Sequence, residues 1–231
     1  MLDGIIDMVF PKKCINCGEK GGYLCEDCLS LIEINPDYYC LCSRPQKLSM
    51  AGRCSSCKDR YLDGIMSATS LEQRIVREMI HKLKYGYIKE LSLPCALLIL
   101  THLQSVGKDI SRHILVPVPL SGKKKRRRGF NQSEEIGKAI AEATSLPLLS
   151  DVLIKIKDSK AQVGLDREQR IENIRNCFAV GNKEKIERKK IILLDDVYTT
   201  GSTMNECARI LKESGAEEVV GLTVAREIME G

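Results

Sequence analysis

From Leu71 to Tyr85 (LEQRIVREMIHKLKY) apolar residues return at helical spacing, and Leu93–Val106 predicts a second helix. Ile114–Val118 reads as a strand running into Pro119. Asn131–Thr144 (NQSEEIGKAIAEAT) predicts a third helix, with Asn or Ser to cap it and acids in its first turn. Ile191–Leu194 is an unbroken apolar run, the pattern of a strand buried on both faces of a parallel sheet. Met204–Glu213 predicts a helix stopped by Gly215, and Glu218–Val224 another strand. Strands alternating with helices predict an α/β, doubly wound domain. The pattern changes around the segment YLDGIMSAT, so the expected division is 1–64 and 65–231.

Cysteine explains the first part. Of 11 cysteines, eight fall in close pairs before residue 58: Cys14/Cys17, Cys25/Cys28, Cys40/Cys42 and Cys54/Cys57. A C-x-x-C turn brings two thiolates onto one ion, and two such turns complete a tetrahedron. Eight ligands suit two structural Zn²⁺ ions, with an iron–sulfur cluster as the other metal chemistry for such pairs. Sequential pairing gives one site from Cys14, Cys17, Cys25 and Cys28, and another from Cys40, Cys42, Cys54 and Cys57. A cross-braced arrangement uses the same ligands. Such closed sites fold a segment too small for its own core and are not expected to be catalytic. Cys95, Cys177 and Cys207 are scattered and read as buried small hydrophobes.

Charge separates the two parts further. The formal net charge is +5 with every Cys neutral. Residues 1–64 carry 8 basic and 9 acidic residues, and eight thiolates with two divalent ions bring this module to about −5. An acidic ribbon attracts phosphate poorly. Its tyrosines (Tyr23, Tyr38, Tyr39, Tyr61) read first as packing and second as stacking platforms for nucleic acid. Residues 65–231 carry 28 basic and 22 acidic residues. No apolar run reaches the length of a membrane span. The opening MLDGIIDMVFPKK has acids and no basic run before its short apolar stretch, unlike a signal peptide. A cytoplasmic protein with no membrane insertion is the expectation.

The chemistry concentrates in residues 191–203, IILLDDVYTTGST. Two adjacent carboxylates at a strand tip repel, and burial raises the cost, so the pair is expected to hold something. In a parallel sheet, ligands sit at the carboxyl ends of strands, near helix N-termini. The stretch Val197–Thr203 offers successive backbone N–H groups, hydroxyls on Thr199, Thr200, Ser202 and Thr203, and Gly201 for close approach. Such a nest suits a phosphate monoester. Asp195 and Asp196 beside it suit two neighbouring hydroxyls or a Mg²⁺-bound ribose. A sugar 5-phosphate with free vicinal hydroxyls satisfies both.

A second phosphate-seeking stretch is VPVPLSGKKKRRRGFNQ, residues 116–132. A small loop around Ser121 and Gly122 leads into six consecutive cations, Lys123 to Arg128. Three readings stand: a solvated flexible loop, a pyrophosphate clamp, and a contact that tracks a DNA strand. Phe130 reads as core or hinge packing. Arg167 and Arg170, with Arg175 beyond, form either a solvated face or a second anion surface. His81, His102 and His113 are isolated, with nothing to make any of them a general base.

The string DDVYTTGST resembles the PRPP-binding motif of type I phosphoribosyltransferases. That resemblance implies that Asp195 and Asp196 hold the ribose 2- and 3-hydroxyls of PRPP (5-phosphoribosyl 1-pyrophosphate). Val197 and Tyr198 would lead into Thr199, Thr200, Gly201, Ser202 and Thr203, which cradle the 5-phosphate, and PRPP would come with Mg²⁺. A mobile loop would close over the pyrophosphate, here Leu120, Ser121, Gly122, Lys123, Arg126, Arg127 and Arg128, with Asn131 and Gln132 after it. The cysteine module, VPVPL, RGFNQ, QVGLDREQR (162–170) and the PRPP motif together resemble the ComF/ComFC competence family, over essentially the full chain. The C-x-C at Cys40/Cys42 departs from that family's C-x-x-C. The implied fold is a type I phosphoribosyltransferase-like parallel-sheet domain preceded by a small double zinc ribbon. The implied role is handling of internalised single-stranded DNA with other competence or DNA-uptake proteins, and the alternative is an active phosphoribosyltransferase with an amine or nucleobase acceptor.

Overall fold

The computed structural model describes residues 11–42, 45–50, 52–157 and 174–227. A central sheet runs β2-β1-β3-β8-β7-β4. Its parallel part is β3 (Gly64–Ser70), β8 (Glu218–Arg226), β7 (Lys190–Tyr198) and β4 (His113–Pro117). The antiparallel pair β1 (Tyr38–Tyr39) and β2 (Lys47–Leu48) comes from the cysteine-rich segment and joins the edge of β3 through Tyr39 opposite Ile65. The N-terminal module therefore shares the sheet of the α/β unit.

Alternation along β7 shows why its sequence is apolar on both faces. Ile192 and Leu194 pack with helices α2 (Arg74–Tyr85), α3 (Ser92–Val106) and α5 (Gln132–Thr144). Ile191 and Leu193 face α6 (Ser202–Glu213) and the small hairpin β5 (Leu153–Lys155) and β6 (Phe178–Val180). All four side chains are fully buried, each contributing about 1.5–3 kcal/mol of transfer free energy. Inside the sheet, Ser67 and Thr223 satisfy each other across β3 and β8 at 2.8 Å.

Two elements differ from their predicted extent for physical reasons. Helix α2 begins at Arg74, three residues later than the apolar period, because Leu71 N–H donates to Arg226 O at the end of β8. Strand β7 continues past Leu194 through Asp195, Asp196 and Tyr198, since β8 pairs with it in register as far as Arg226. The hairpins β1–β2 and β5–β6 carry no period of their own and were not predicted.

The six-cation stretch is not a loop. It forms helix α4 (Gly122–Arg128). Ser121 Oγ accepts from Lys124 N–H at its start, and Gly129 closes it in the left-handed region at φ 83°. Lys and Arg are good helix formers, and Lys125 to Arg128 in the last turn complement the helix dipole. The short helix α1 (Glu26–Ser30) follows Cys25.

Candidate functional site

At the carboxyl end of β7 the two acids meet different partners. Asp196 is 3 % exposed, and its Oδ1 lies 2.8 Å from Lys84 Nζ at the end of α2. Its Oδ2 is buried without a hydrogen-bond partner. Burial works against the Lys84 ammonium, yet Asp196 beside it, with Asp195 beyond, holds it above the ordinary lysine value. Asp195 is half-buried, and its Oδ1 accepts from Ser133 Oγ and from the Asp196 N–H, each at 2.9 Å. Burial pushes the Asp195 carboxyl up to about 7, helped by the charge of Asp196 and opposed by Lys84. One carboxylate is thus charge-paired, while the other stands near the midpoint of its titration at neutral pH.

The chain then turns from β7 into α6. Gly201 has φ 72° and precedes the helix. A Cβ there would lie 2.2 Å from Tyr198 Oη and 2.4 Å from its Cζ, so the glycine rests directly on the tyrosine ring. Thr200 and Ser202 hydroxyls lie 2.9 Å apart, and Asn205 N–H donates to Gly201 O. Thr199, Thr200 and Thr203 are half-buried, while Val197 packs against the core. First-turn amides of α6 and four hydroxyls gather at a helix N-terminus, a favourable place for a phosphate.

Helices α4 and α5 meet at a corner that touches the same carboxylates. Asn131 caps α5, accepting from Ser133 N–H while its Nδ2 donates to Val118 O at 3.0 Å. That places Ser133 against Asp195. Lys123 to Arg127 are exposed. Arg128 donates to Gln132 Oε1, and its guanidinium stands 5.8 Å from the Tyr85 ring. Tyr85 and Tyr87 are both exposed. Phe130 packs against the core, as predicted.

The eight paired cysteines form two groups in chain order: Cys14, Cys17, Cys25 and Cys28, and Cys40, Cys42, Cys54 and Cys57. Within each, all four sulfur atoms lie within 4.8 Å of one another. Measured Sγ separations of 3.4 to 3.6 Å approach the roughly 3.8 Å that a tetrahedron with 2.3 Å Zn–S bonds requires. The donors fit one small tetrahedral ion each, and both groups are compatible with zinc. The C-x-C pair Cys40/Cys42 converges as well as the C-x-x-C pairs. Cys95, Cys177 and Cys207 are buried, as predicted for small hydrophobes.

With this geometry in place, the family described as "Phosphoribosyl transferase domain" matches residues 105–227. The chain belongs to that family. It is 33% identical over 113 residues to Competence protein F of Haemophilus influenzae, covering 48% of this chain and 49% of that protein. It is 30% identical over 145 residues to DNA utilization protein YhgH of Salmonella typhimurium, covering 61% and 63%. The chain thus spans about half of the first relative and 63% of the second. Competence protein ComFC of Bacillus subtilis is 27% identical over 210 residues, 88% of this chain and 84% of that protein. These relatives bear out the ComF/ComFC resemblance. Among solved structures, that of the allosteric regulatory enzyme of purine biosynthesis covers 57% of this chain and 26% of its own, with 22% identity and a TM-score of 0.37.

Three residues of the site were not anticipated. Lys84 falls four positions after buried Ile80, on the apolar stripe of α2, and a cation on such a stripe calls for a buried anion. Ser133 was read as part of a helix cap, not as an Asp195 partner. Arg226, 2 % exposed at the end of β8, donates to Cys40 O and Cys42 O and lies 4.9 Å from the Tyr198 ring centroid. Beside Arg226 opens a cleft of about 160 Å³, lined by Glu33, Tyr39, Pro45, Thr69 and Ser70 among others. Arg167 and Arg170 lie outside the described residues, and Arg175 is exposed. Among the described residues, no helix is long and apolar enough to cross a membrane.

Proposed function

We propose that this chain binds Mg²⁺·PRPP at the β7–α6 junction and handles single-stranded DNA during uptake. The observation that carries this reading is the joint placement of two acids and a hydroxyl-rich turn at one strand end. Thr199–Thr203 would take the 5-phosphate, and Asp195 with Asp196 the ribose hydroxyls. The side chains of α4 would meet the pyrophosphate, with Asn131 and Gln132 closing the corner. Mg²⁺ would travel on PRPP and neutralise its charge. The thiol clusters suit a reducing compartment, the cytoplasm.

The DNA part rests on α4 and on the printed names of the relatives, a competence protein and a DNA utilization protein. Six adjacent cations, the last of them 5.8 Å from the ring of exposed Tyr85, combine charge with a stacking surface. Other competence proteins would dock on the cysteine module.

The test is calorimetry of Mg²⁺·PRPP on zinc-loaded protein, alone and with single-stranded DNA. Micromolar binding that disappears in Asp195→Asn with Asp196→Asn supports the site, and competition by DNA places both ligands on α4. Absence of binding at millimolar PRPP overturns it. Neutralising Lys123–Arg128 is expected to flatten the salt dependence of DNA affinity; an unchanged slope removes α4 as the DNA contact.

A second reading, an active phosphoribosyltransferase, is favoured by the cleft beside Arg226 at the carboxyl ends of β3 and β8, next to β7. Tyr39 and the two prolines Pro36 and Pro45 give it flat apolar walls, and Glu33 supplies an acceptor for N–H groups. Release of pyrophosphate from PRPP with added nucleobases or amines tests it. No release with any of them rejects it.

A further inference from the structure

Three consecutive carbonyls of the second cysteine knuckle are each held from the phosphate side of the sheet. Arg226 Nη1 donates to Cys40 O at 2.8 Å, Tyr198 Oη to Leu41 O at 3.0 Å, and Arg226 Nη2 to Cys42 O. Cys40, Leu41, Tyr198 and Arg226 are all at most 2 % exposed. Tyr198 and Arg226 sit opposite each other in the β7–β8 register and stack. The Tyr198 phenol also lies against Gly201, the left-handed residue of the turn. A second tether links the same two regions: Tyr61 N–H, four residues after Cys57, donates to Asn205 Oδ1 in the first turns of α6. Among the described residues, the first cluster makes no hydrogen bond to Tyr198, Arg226 or α6. Its outward contacts include Asn16, which donates to Cys28 Sγ and accepts from Arg74 on α2, and Lys12, paired with Glu90.

We propose that Tyr198 and Arg226 are positioning residues that make the second cysteine cluster the rear support of the 199–203 turn, so that metal there sets the order of that turn. Cys40 and Cys42 are both ligands, so an ion fixes the peptide units whose carbonyls receive the three hydrogen bonds. Without it the knuckle is released, the Tyr198 hydroxyl loses its acceptor, and the ring beneath Gly201 is free to rotate. Coupling is reciprocal: whatever orders the turn tightens metal binding at the second cluster. The first cluster is the internal control.

The consequence for ligand affinity rests on the phosphate-site reading, but the following readouts need no ligand, so the two ideas fail separately. Hydrogen exchange of backbone amides 199–203 is compared in the zinc-loaded full chain, in Cys54→Ser and in Cys17→Ser. Cys54→Ser is expected to speed exchange there at least about tenfold, and Cys17→Ser to change it less than about twofold. Tyr198→Phe keeps the ring and removes one hydrogen bond. In zinc-loaded protein it is expected to accelerate release of one of two ions to a chelator about fivefold, as loss of one ordinary hydrogen bond predicts. The ion that leaves faster should be the one absent from Cys54→Ser. Equal loop exchange in Cys54→Ser and the parent, or an equal rise in both cysteine variants, overturns the proposal. If Cys54→Ser does not fold, unchanged release from Tyr198→Phe overturns it alone.

Discussion

Lys84 Nζ stands 2.8 Å from Asp196 Oδ1, and the carboxylate it neutralises is 3 % exposed. Removing one partner of such a pair leaves an uncompensated buried charge. Lys84→Met is therefore expected to lower unfolding free energy by about 3–5 kcal/mol. Adding Asp196→Asn should return most of that loss, because the double variant leaves neither charge of this pair behind. Urea unfolding of the three proteins measures this. A single variant within 0.5 kcal/mol of the parent would show that water reaches Asp196.

Asp195 gives the opposite sign of pH dependence from an ordinary paired carboxylate. Its folded value, about 7, lies above that of the unfolded chain. Between about pH 4 and 7 the folded protein keeps a proton that the unfolded chain has released, so this group's stabilisation is present at low pH and fades as pH rises through 7. Asp196 and Lys84 are the charged groups that set this balance. Asp195→Asn, with no charge to desolvate, should therefore melt higher than the parent at about pH 8 and close to it at about pH 4. The same variant should lose sugar-phosphate binding. Equal melting differences at both pH values would place the Asp195 titration near its ordinary range.

Gly201→Ala tests the turn. The substitution forces a Cβ into the Tyr198 ring at a φ of 72°, costing about 1–2 kcal/mol for the backbone alone. Ribose 5-phosphate binding should fall at least about tenfold if relief of the contact moves the turn by even a fraction of a hydrogen-bond length. Tyr198→Phe in the same chain should not rescue it, since the ring carbons at 2.4 and 2.7 Å clash as well. Unimpaired binding by calorimetry would mean that the turn does not meet the phosphate.

Metal content distinguishes the two pairings. With ligands grouped in chain order, Cys14→Ser with Cys28→Ser should retain one zinc per chain, and Cys14→Ser with Cys54→Ser none. A cross-braced arrangement of first pair with third and second with fourth also loses one ion to Cys14→Ser alone, so the deciding double takes one ligand from each of the first two pairs, as Cys14→Ser with Cys28→Ser does. It retains one zinc in the observed grouping and none in the cross-braced one. Elemental analysis of purified protein reads the count.

The α/β class was legible because the apolar code of a buried parallel strand is strong: Ile191–Leu194 has no other comfortable place. The acids and the hydroxyl turn were legible because their chemistry is concentrated in nine adjacent residues. What surrounds them was not. Lys84 lies 112 positions before Asp196 and Ser133 62 before Asp195, and pairings across such distances leave no local period. The helical state of Gly122–Arg128 was missed because a block of like charge predicts solvation, whereas the caps Ser121 and Gly129 decide the backbone. The C-x-C spacing of Cys40/Cys42 gave no hint that its carbonyls are held by Arg226, 184 residues beyond Cys42.

That distance orders events during synthesis. The first cluster closes within residues 14–28, whereas the partners of the second knuckle lie in β7 and β8. At about 5–20 residues per second, a ribosome reaches Arg226 some ten to thirty seconds after Cys57. If each group takes a zinc ion, the first can be held through that interval, while the second knuckle still lacks the three hydrogen bonds from Tyr198 and Arg226. The sheet itself waits as long, because β3 finds its parallel neighbour only in β8. A cell short of zinc would thus leave its mark on late-maturing chains, through the ligand set that is completed last.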